Sequence, residues 1–259
     1  MYATERHEQI ELLLAGQGRV SVVELADRFD VTTETIRRDL DHLETRGALR
    51  RVHGGAVARE RASTREPSLA ERLEHHGSAK TAIGRRALDA LGADFSGSLF
   101  LDAGTTTGAV AAALVPRLAE ARIEVVTHSL TLGHSLAGVP GASLSLVGGR
   151  VRGLTAAAVG ADTVRTIGAL RPDVAFVGTN GVSAGFGLST PDPDEAAVKR
   201  AIVESARRVV VVADAEKLGA ELLVGFAALS DIDVLVTDAA PDEELSDALA
   251  DADVEVWLA

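Results

Sequence analysis

The sequence predicts a two-part α/β chain: a small N-terminal module of three helices and a strand pair, followed by a larger open sheet of mainly parallel strands. Three helix-length apolar patterns precede residue 58, and from residue 80 onward short apolar runs alternate with helical segments. With 259 residues, 46% of them hydrophobic, the chain is long and apolar enough to bury a core in each part.

Start and stop signals define the first two helices. An amphipathic pattern over residues 5–15 ends at a pair of glycines. Ser21, followed three residues later by Glu24, fits a capping box that opens a second helix, which we expect to run to Phe29. We expect the chain to turn tightly after it, at residues 30–32.

A third helix is predicted over residues 33–46, because Ile36, Leu40 and Leu43 recur at helical spacing and form one buried stripe. Residues 48–57 then combine strand-forming and basic residues around a glycine pair, as a β-wing would. Helix, turn, helix and wing together predict a winged helix-turn-helix.

The charge distribution favours DNA as the partner of this module. The chain carries a net charge of −12, but residues 35–61 contain seven arginines against four carboxylates. Such a basic island indicates local contact with double-stranded DNA, the third helix in the major groove and the wing on the backbone or minor groove. A solvated helix face is the alternative. The candidates are Thr33, Thr35, Arg37 and Arg38 on the helix, and Arg50, Arg51 and His53 on the wing.

Composition sets the domain boundaries. Residues 1–58 form the predicted DNA-binding domain, the charged residues 59–78 a linker, and residues 79–259 the larger domain. Strands of the larger domain are predicted at residues 99–102, 124–127, 143–147, 174–177, 209–213, 234–236 and 254–257. Helices are predicted at residues 109–121, 163–170 and 195–206. Unbroken apolar strands are typical of parallel sheets covered on both faces.

The strongest candidate for a ligand site is the sequence Asp-Ala-Gly-Thr-Thr-Thr-Gly at residues 102–108, between a predicted strand and a predicted helix. Glycines allow a ligand to approach the backbone, threonines offer donors, and a helix N-terminus favours an anion. The motif is neither a Walker loop nor a dinucleotide fingerprint. It predicts a cradle for a phosphate or a sugar phosphate, with a merely capped turn as the alternative.

Other loops at predicted strand ends supply further candidates, because ligands of open α/β sheets bind where the carboxyl ends of strands meet. Lysine is rare in this chain, and each of the three ammonium groups, on Lys80, Lys199 and Lys217, is a candidate partner for phosphate. For Lys199 the alternative is an ion pair with Glu195, four residues earlier on the same predicted helix. The site candidates at this point are Asp102, Gly104, Thr105, Thr106, Thr107, His128, Ser129, Gly149, Asn180, Gly181 and Lys217.

Enzymatic function finds little support in the sequence. Residues 181–185 match G-x-S-x-G, but the last histidine is His134, so the chain order of an α/β-hydrolase triad is impossible. The histidines lack metal-ligand spacing and cysteine is absent, so we expect neither a metal nor a cofactor. The longest uncharged apolar run, residues 109–115, is far shorter than the roughly 20 residues of a membrane span, which favours a cytoplasmic protein.

The chain resembles the DeoR family of bacterial sugar-metabolism repressors along nearly its whole length. The resemblance is carried by TETIRRDL at residues 33–40, RVHGGA at 51–56, DAGTTT at 102–107, LVGGR at 146–150 and EAAVKR at 195–200. Both halves match in order, which makes the resemblance specific. It implies a winged helix-turn-helix joined to a sensor domain similar to ribose-5-phosphate isomerase, which binds a phosphorylated sugar and then releases operator DNA.

Residues 151–155, 178–181 and 188–193 look most like the fructose-operon repressors of high-GC bacteria, which implies fructose 1-phosphate as the effector. A homodimer or homotetramer is expected, because a single small DNA-binding domain is seldom sufficient for specific DNA binding. The resemblance also implies that Asp102 hydrogen-bonds sugar hydroxyls, that residues 104–107 surround the phosphate with Lys217 nearby, and that Asn180, Glu195 and Lys199 complete the pocket.

One position departs from the family pattern, since His128 stands where the family usually has asparagine. An imidazole titrates near neutral pH, so the ligand and its pH response stay open. The acidic loop and the glycine-rich loop of the isomerase relatives are absent, and catalysis is therefore not expected. The competing hypothesis is a sugar-phosphate isomerase or deaminase with a DNA-binding appendage, in which Asp102, Glu195 or Asp214 would act as the base. A constitutive DNA-binding protein with an empty sensor is a third.

Overall fold

The computed structural model describes residues 3–17, 19–45, 48–52, 54–58, 63–64, 66–119 and 122–259. The chain divides into two compact units, residues 1–62 and residues 63–259. The smaller unit contains the predicted helix-turn-helix, and the larger unit contains the predicted sheet.

The smaller unit consists of three helices and a three-stranded sheet. Its elements are α1 (Ala3–Gln17), β1 (Arg19–Ser21), α2 (Val22–Phe29), α3 (Thr33–Thr45), β2 (Leu49–Val52) and β3 (Gly55–Ala58). The strands pair antiparallel in the order β1-β3-β2. The predicted winged helix-turn-helix is confirmed, and β1 is an additional strand of three residues that the sequence does not indicate.

Capping and burial position α2 and α3. The Ser21 hydroxyl oxygen accepts hydrogen bonds from the backbone N–H groups of Val23 and Glu24, at 3.2 and 3.5 Å. Asp30, in the left-handed conformation with φ 52°, ends α2. Burial of each large side chain stabilises the unit by roughly 1.5–3 kcal/mol and turns the opposite face of α3 outward. The core side chains, each at most 3% exposed, include Ile10, Leu14, Leu25, Ile36, Leu40, Leu43 and Leu49.

The larger unit is built on a seven-stranded sheet in which every neighbouring pair is parallel. Its strands, in spatial order, are β15 (Glu255–Leu258), β14 (Val234–Thr237), β12 (Val209–Val212), β9 (Val174–Gly178), β4 (Gly97–Leu101), β5 (Ile123–Thr127) and β6 (Ser143–Leu146). All seven predicted strands overlap members of this sheet. The predicted mainly parallel open sheet is therefore confirmed.

Helices pack against both faces of this sheet. They are α4 (Leu69–Glu74), α5 (Gly77–Ala87), α6 (Thr105–Leu118), α7 (Leu130–Ala137), α8 (Ala161–Gly168), α9 (Pro193–Ser205) and α10 (Glu243–Asp251). Short 3-10 turns lie at Leu88–Ala90, Ala215–Lys217 and Leu229–Asp231. Along β12, Val209 and Val211 pack in the core with α8, α9 and α10, whereas Val210 and Val212 pack in the core with α5, α6 and α7. Burial on both faces explains why this strand is apolar at every position.

Two smaller β-structures complete the larger unit, and the sequence does not indicate either. An antiparallel hairpin is formed by β7 (Arg150–Arg152) and β8 (Ala157–Val159). A three-stranded antiparallel sheet is formed by β10 (Gly181–Ser183), β11 (Gly187–Thr190) and β13 (Val224–Ala227). Each strand has three or four residues, which is too short for a periodic pattern to be recognised.

The segment that the sequence assigned to a linker packs, from residue 66, onto the larger unit. The backbone N–H of Leu69 donates to the carbonyl of Leu154 at 3.1 Å. Lys80 of α5 donates from Nζ to the carbonyl oxygens of Arg72 and His75, both at 2.6 Å. The predicted linker is corrected accordingly, because residues 63–64 and 66–78 belong to the larger unit. Residues 59–62 and 65 lie outside the described residues.

Candidate functional site

The outer face of α3 carries four of the predicted DNA-binding residues. Thr33 begins the helix and Thr35 lies in its first turn. The side chains of Arg37 and Arg38 are 53% and 80% exposed, and each guanidinium lies near Glu34, at 3.6 and 3.5 Å. Exposed pairs of this kind contribute about 0–1 kcal/mol, so both arginines can exchange Glu34 for a phosphate or a base at little cost.

The wing residues are placed differently from those on α3. The guanidinium of Arg51, on β2, pairs with Asp41 of α3. The backbone N–H of Arg51 donates to the carboxylate of Glu44 at 2.8 Å. These contacts hold β2 against α3, so Arg51 is engaged within the unit. The side chain of Arg50 and the whole of His53 lie outside the described residues.

A buried ion pair fixes α3 to α1. Asp39 accepts hydrogen bonds from Nε and Nη2 of Arg6, at 2.6 and 3.0 Å, and lies 2.8 Å from Nε2 of His7. Burial alone would raise the pKa of Asp39, but the hydrogen bonds with Arg6 and His7 lower it overall. Sequence reasoning missed this cluster. The available signal is the position of Asp39 on the buried stripe, between Ile36 and Leu40.

In the larger unit, the carboxyl ends of three adjacent strands meet at one buried carboxylate. Asp102 follows β4, and its Oδ2 accepts from the backbone N–H of Gly178 at the end of β9, at 2.9 Å. His128 follows β5, with Nε2 3.0 Å from Oδ1 of Asp102. Lys199 of α9 donates from Nζ to Oδ2 of Asp102 and to the carbonyl of Gly178. The structure thus brings together three predicted site residues from three distant segments of the chain.

The environment of Asp102 keeps its carboxylate ionised. Burial alone would raise the pKa of Asp102, but the charge of Lys199 and the hydrogen bond with His128 outweigh it and lower the pKa to about 2. The side chain of Asp102 has no exposed surface. In this geometry Asp102 positions the strand ends and α9 and presents no oxygen to a ligand, which differs from the expected contact with sugar hydroxyls.

The glycine-threonine turn opens α6 beside a cavity of about 360 Å³. Gly104 is the N-cap and has no side chain to satisfy the first N–H groups of the helix, which are therefore available to an anion. Thr107 is buried and donates to the carbonyl of Gly104 at 3.0 Å, whereas Thr105 and Thr106 are partly exposed. The cavity is lined by Leu69, Leu73, Gly77, Lys80, Gly104, Thr105, Gly108, Ala109, Thr131, Leu132 and Ser135.

Lys80 is a buried residue of the cavity lining, and its Nζ donates to the carbonyl oxygens of Arg72 and His75. The residue is 7% exposed, and burial lowers the pKa of its ammonium group. The rarity of lysine pointed to Lys80, but the predicted site did not include it. Lys217, which was included, is not among the described residues that line the cavity, and its Nζ lies 4.0 Å from Glu216.

Four of the other predicted residues have structural roles of their own. Ser129 is buried and caps α7. The side-chain oxygen of Asn180 accepts from the hydroxyl of Thr190 at 3.0 Å. Gly149 and Gly181 lie where a Cβ atom would come within 1.9 and 2.2 Å, respectively, of a neighbouring oxygen. Close packing therefore explains both glycines without a ligand.

Glu195, on the first turn of α9, lies in a separate polar cluster. Its Oε1 accepts from the hydroxyl of Thr155 and lies 3.2 Å from Nη1 of Arg152. Arg152 also pairs with Glu66 and Asp192. Sequence reasoning placed Glu66 at the start of a hinge that passes the effect of the effector, but it missed the pairing with Arg152. Glu66 lies in the segment predicted as a linker, and Arg152 lies on a strand too short to predict.

Neither a metal cluster nor a membrane helix is found in the part of the chain that the structure describes. There, no three His, Cys, Asp or Glu side chains are grouped as a metal ion would require. No helix of the same residues is long and apolar enough to cross a membrane.

Two family models together match most of the chain. A DeoR-like helix-turn-helix domain matches residues 6–62, and a DeoR C terminal sensor domain matches residues 75–239. Similar full-length relatives include the transcriptional regulator GlpR of Haloferax volcanii, 37% identical over 99% of this chain and 98% of that one. The glycerol-3-phosphate regulon repressor of Escherichia coli is 33% identical over 100% of both chains. The uncharacterized regulator FruR of Bacillus subtilis is 34% identical over 95% and 94%.

Solved structures show more distant likenesses. Ribose 5-phosphate isomerase A of Methanocaldococcus jannaschii is 15% identical, with a TM-score of 0.41 over 55% of this chain and 54% of that one. The sorbitol operon regulator SorC of Klebsiella pneumoniae is 14% identical, with a TM-score of 0.37 over 84% and 90%. The family assignment rests on the two domain models and the full-length relatives, whose names are those of regulators and not of enzymes.

Proposed function

Because the chain belongs to the DeoR family of transcriptional regulators, we propose that it represses a sugar-catabolic operon and leaves its operator when a phosphorylated sugar binds the larger unit. Members of this family are regulators with a DNA-binding unit and a sensor unit. For this chain we further propose the identity of the sugar, the place where it binds and the residues that contact DNA.

The structure at the N-terminus of α6 supports the proposed location of the effector site. Gly104 and the partly exposed Thr105, at the uncapped N-terminus of a 14-residue helix, line one cavity together with the buried residue Lys80. Backbone donors at a helix N-terminus together with a lysine favour a phosphate group. The cavity volume, about 360 Å³, lies within the range of roughly 300–1,000 Å³ that is typical of small-molecule pockets.

Fructose 1-phosphate is the effector that we propose first. The resemblance of residues 151–155, 178–181 and 188–193 to fructose-operon repressors supports it, as does the name of the Bacillus subtilis relative FruR. Relatives named for the glycerol-3-phosphate regulon are equally similar, so glycerol 3-phosphate is the competing effector.

For DNA, we propose a symmetric homodimer or homotetramer that reads repeated half-sites in the cytoplasm. One small winged unit contacts one half-site, so two copies are needed for specific binding. Light scattering of the full chain measures the number of copies. The proposed DNA contacts are Thr33, Thr35, Arg37, Arg38, Arg50, Arg51 and His53, with Arg51 also holding the wing.

Thermal shift and operator release test the effector. The full-length chain is heated with fructose 1-phosphate, glycerol 3-phosphate, ribose 5-phosphate, inorganic phosphate or fructose. Fructose 1-phosphate at 100 times its Kd is expected to stabilise the fold by about 2.7 kcal/mol and to weaken binding to an operator selected from genomic DNA. Fructose without phosphate is expected to do neither.

A matched pair of variants locates the site. Thr105→Val removes a hydroxyl that lines the cavity, and Thr166→Val removes a hydroxyl on the exposed surface of α8. Only the first is expected to weaken effector binding. Turnover of a sugar phosphate by the purified protein, or the lack of a thermal shift with every phosphorylated sugar, would contradict the proposed function.

A further inference from the structure

A buried cluster of charges joins the start of the larger unit to the first turn of α9. Glu66 is the fourth residue of that unit, and its side chain is 2% exposed. Its Oε2 lies 2.7 Å from Nη1 of Arg152, and its Oε1 lies 3.9 Å from Nη1 of Arg72. Arg152 also approaches Oε1 of Glu195, at 3.2 Å from Nη1, and Oδ2 of Asp192, at 3.1 Å from Nε.

Three carboxylates thus share two guanidinium groups. Among the residues that the structure describes, neither oxygen of Glu66 has an aligned hydrogen bond, and Nε and Nη2 of Arg72 are buried without a partner. Burial, followed by the charge of Glu195, raises the pKa of Glu66. Incompletely paired buried charges are costly to hold, so this cluster is poised to rearrange when one member finds another partner.

Glu66 and Glu195 compete for one nitrogen atom. Both carboxylates lie within ion-pair distance of the same Nη1 of Arg152. Charge-assisted bonds strengthen when a donor serves one acceptor in good alignment. If Glu195 turns to the hydroxyl groups of a bound sugar, Nη1 is left to Glu66 alone.

Helix α9 connects this cluster with the strand-end site. Glu195 and Lys199 lie one turn apart on α9, and Lys199 pairs with the buried Asp102. One helix turn moves as a rigid unit, so a movement of Glu195 is also felt at Lys199 and at its partner Asp102. The same helix therefore carries both a member of the site and a member of the cluster.

We propose that Glu66, Arg152 and Glu195 form a latch: effector binding withdraws Glu195 from Arg152, which then holds Glu66 and residues 66–74 more tightly. The latch rests on the proposed function and on a contact between Glu195 and the effector, which the family resemblance implies and the cavity lining does not include. The smaller unit ends at Ala62, so a tightened Glu66 restrains the chain that leads directly to the DNA-binding unit. The two states then differ in the contacts that the effector makes, as any ligand-driven shift requires.

Hydrogen exchange of the full-length chain tests the latch, with fructose 1-phosphate at saturation as the probe. The backbone amides of residues 66–74 are expected to exchange more slowly when the probe is bound. Glu66→Gln preserves the shape of the side chain but removes its charge. We expect this variant to bind fructose 1-phosphate in calorimetry as the wild type does, and to lose the slower exchange.

Operator binding gives the second measurement. In the wild type, fructose 1-phosphate is expected to raise the operator Kd by about 5- to 150-fold, the usual range of allosteric coupling. In Glu66→Gln this factor is expected to fall toward one. The control is Asp162→Asn, which removes an exposed carboxylate paired with Arg165 on α8 and is expected to keep the wild-type factor.

The outcomes separate the latch from the proposed function. If the probe binds and releases operator but residues 66–74 exchange as before, or if Glu66→Gln keeps the full release, the latch is wrong and the proposed function stands. If the wild type does not bind fructose 1-phosphate, the proposed effector fails and the latch fails with it. Leu69 and Leu73 line the cavity, so direct contact with the probe also slows exchange in α4. If Glu66→Gln does not fold, wild-type exchange at the amides of Glu66 and Ser68, which are not in the cavity lining, decides the question.

Discussion

Replacement of Lys199 by methionine isolates the contribution of the buried cation at the strand ends. Methionine retains the apolar stem but lacks the ammonium group that pairs with Asp102 and donates to the carbonyl of Gly178. The side chains of Lys199 and Asp102 are 6% and 0% exposed, so water cannot replace the missing group. His128 is then the remaining side-chain partner of the carboxylate.

The loss in the free energy of unfolding caused by Lys199→Met follows from the burial of the ion pair and from the pKa of Asp102. Removing one partner of a buried pair typically costs about 3–5 kcal/mol, because the other charge stays buried. Independently, the folded environment lowers the pKa of Asp102 from 3.8 to about 2, which at 1.36 kcal/mol per unit corresponds to about 2.5 kcal/mol. That value is net of burial, which acts in the opposite direction, and it combines the contributions of Lys199 and His128. We expect Lys199→Met to lower the free energy of unfolding by about 3–5 kcal/mol at neutral pH.

The loss also depends on pH in a defined direction. In the wild type the pKa of Asp102 is lowered on folding, so its ionised form stabilises the fold above pH 3.8 and this stability is lost as the pH falls toward about 2. In the variant, burial is no longer offset by Lys199, so the pKa of Asp102 rises and protonation relieves the penalty. The difference in stability between the two proteins is therefore larger at about pH 7 than at about pH 4.

Urea unfolding followed by the fluorescence of Trp257 measures this difference, because Trp257 is the single tryptophan and lies on β15 of the larger unit. The matched control is Arg165→Met, which removes an exposed partner of Asp162 and is expected to change stability by less than about 0.5 kcal/mol. Adding Asp102→Asn to Lys199→Met is expected to restore part of the stability. A loss below about 1 kcal/mol at neutral pH, or one that does not shrink at lower pH, refutes the reasoning.

Three further changes test other parts of the chain. Arg38→Ala, at a position 80% exposed on α3, is expected to weaken operator binding in fluorescence anisotropy and to leave sugar-phosphate affinity in calorimetry intact; loss of both contradicts separate roles for the two units. Ser21→Ala removes the cap of α2 and is expected to destabilise the smaller unit by about 1 kcal/mol, seen as faster exchange of the α2 amides; unchanged exchange rules out a stabilising cap. Gly84→Ala would place a Cβ 2.6 Å from the backbone of Ala109 and is expected to cost about 1–3 kcal/mol in urea unfolding, whereas Gly92→Ala, which meets open space, is expected to cost far less; equal losses contradict close packing of α5 on α6.

The sheet was predictable because its strands carry a strong local signal. The four valines of β12 are buried on both faces, and a continuous apolar run between helical segments indicates a parallel strand without any knowledge of its neighbours. The strands β7, β8, β10 and β11 lack such a signal, since each has three or four residues and is formed by pairing with a nearby segment. Their existence depends on tertiary contacts that local patterns do not encode.

The candidate site was predictable in its members but not in its contacts. Asp102 and Lys199 are separate sequence candidates that lie 97 positions apart, and only the fold shows that they pair with each other. The same limit explains the missed cluster at Glu66, where a charged, apolar-poor segment resembles a linker until its buried partner Arg152 is known. Burial of a charged side chain depends on its partners, so composition alone assigns such a residue to the surface.

If the turn at Gly104 binds the phosphate of the effector, as we propose, the buried Asp102 cluster separates phosphate recognition from the choice of sugar. His128, Gly178 and Lys199 contact the carboxylate of Asp102 and hold it in place without a ligand. Asp102 in turn fixes the turn that begins at Gly104. A site whose donors are already in position loses little entropy when an anion binds. Every phosphorylated sugar would present the same anion to that turn, so discrimination would then arise at the rest of the cavity wall, to which α4, α7 and Gly77 of α5 contribute. We therefore expect substitutions on α4 and α7 to change which sugar binds, and substitutions at the turn to change whether any phosphorylated sugar binds.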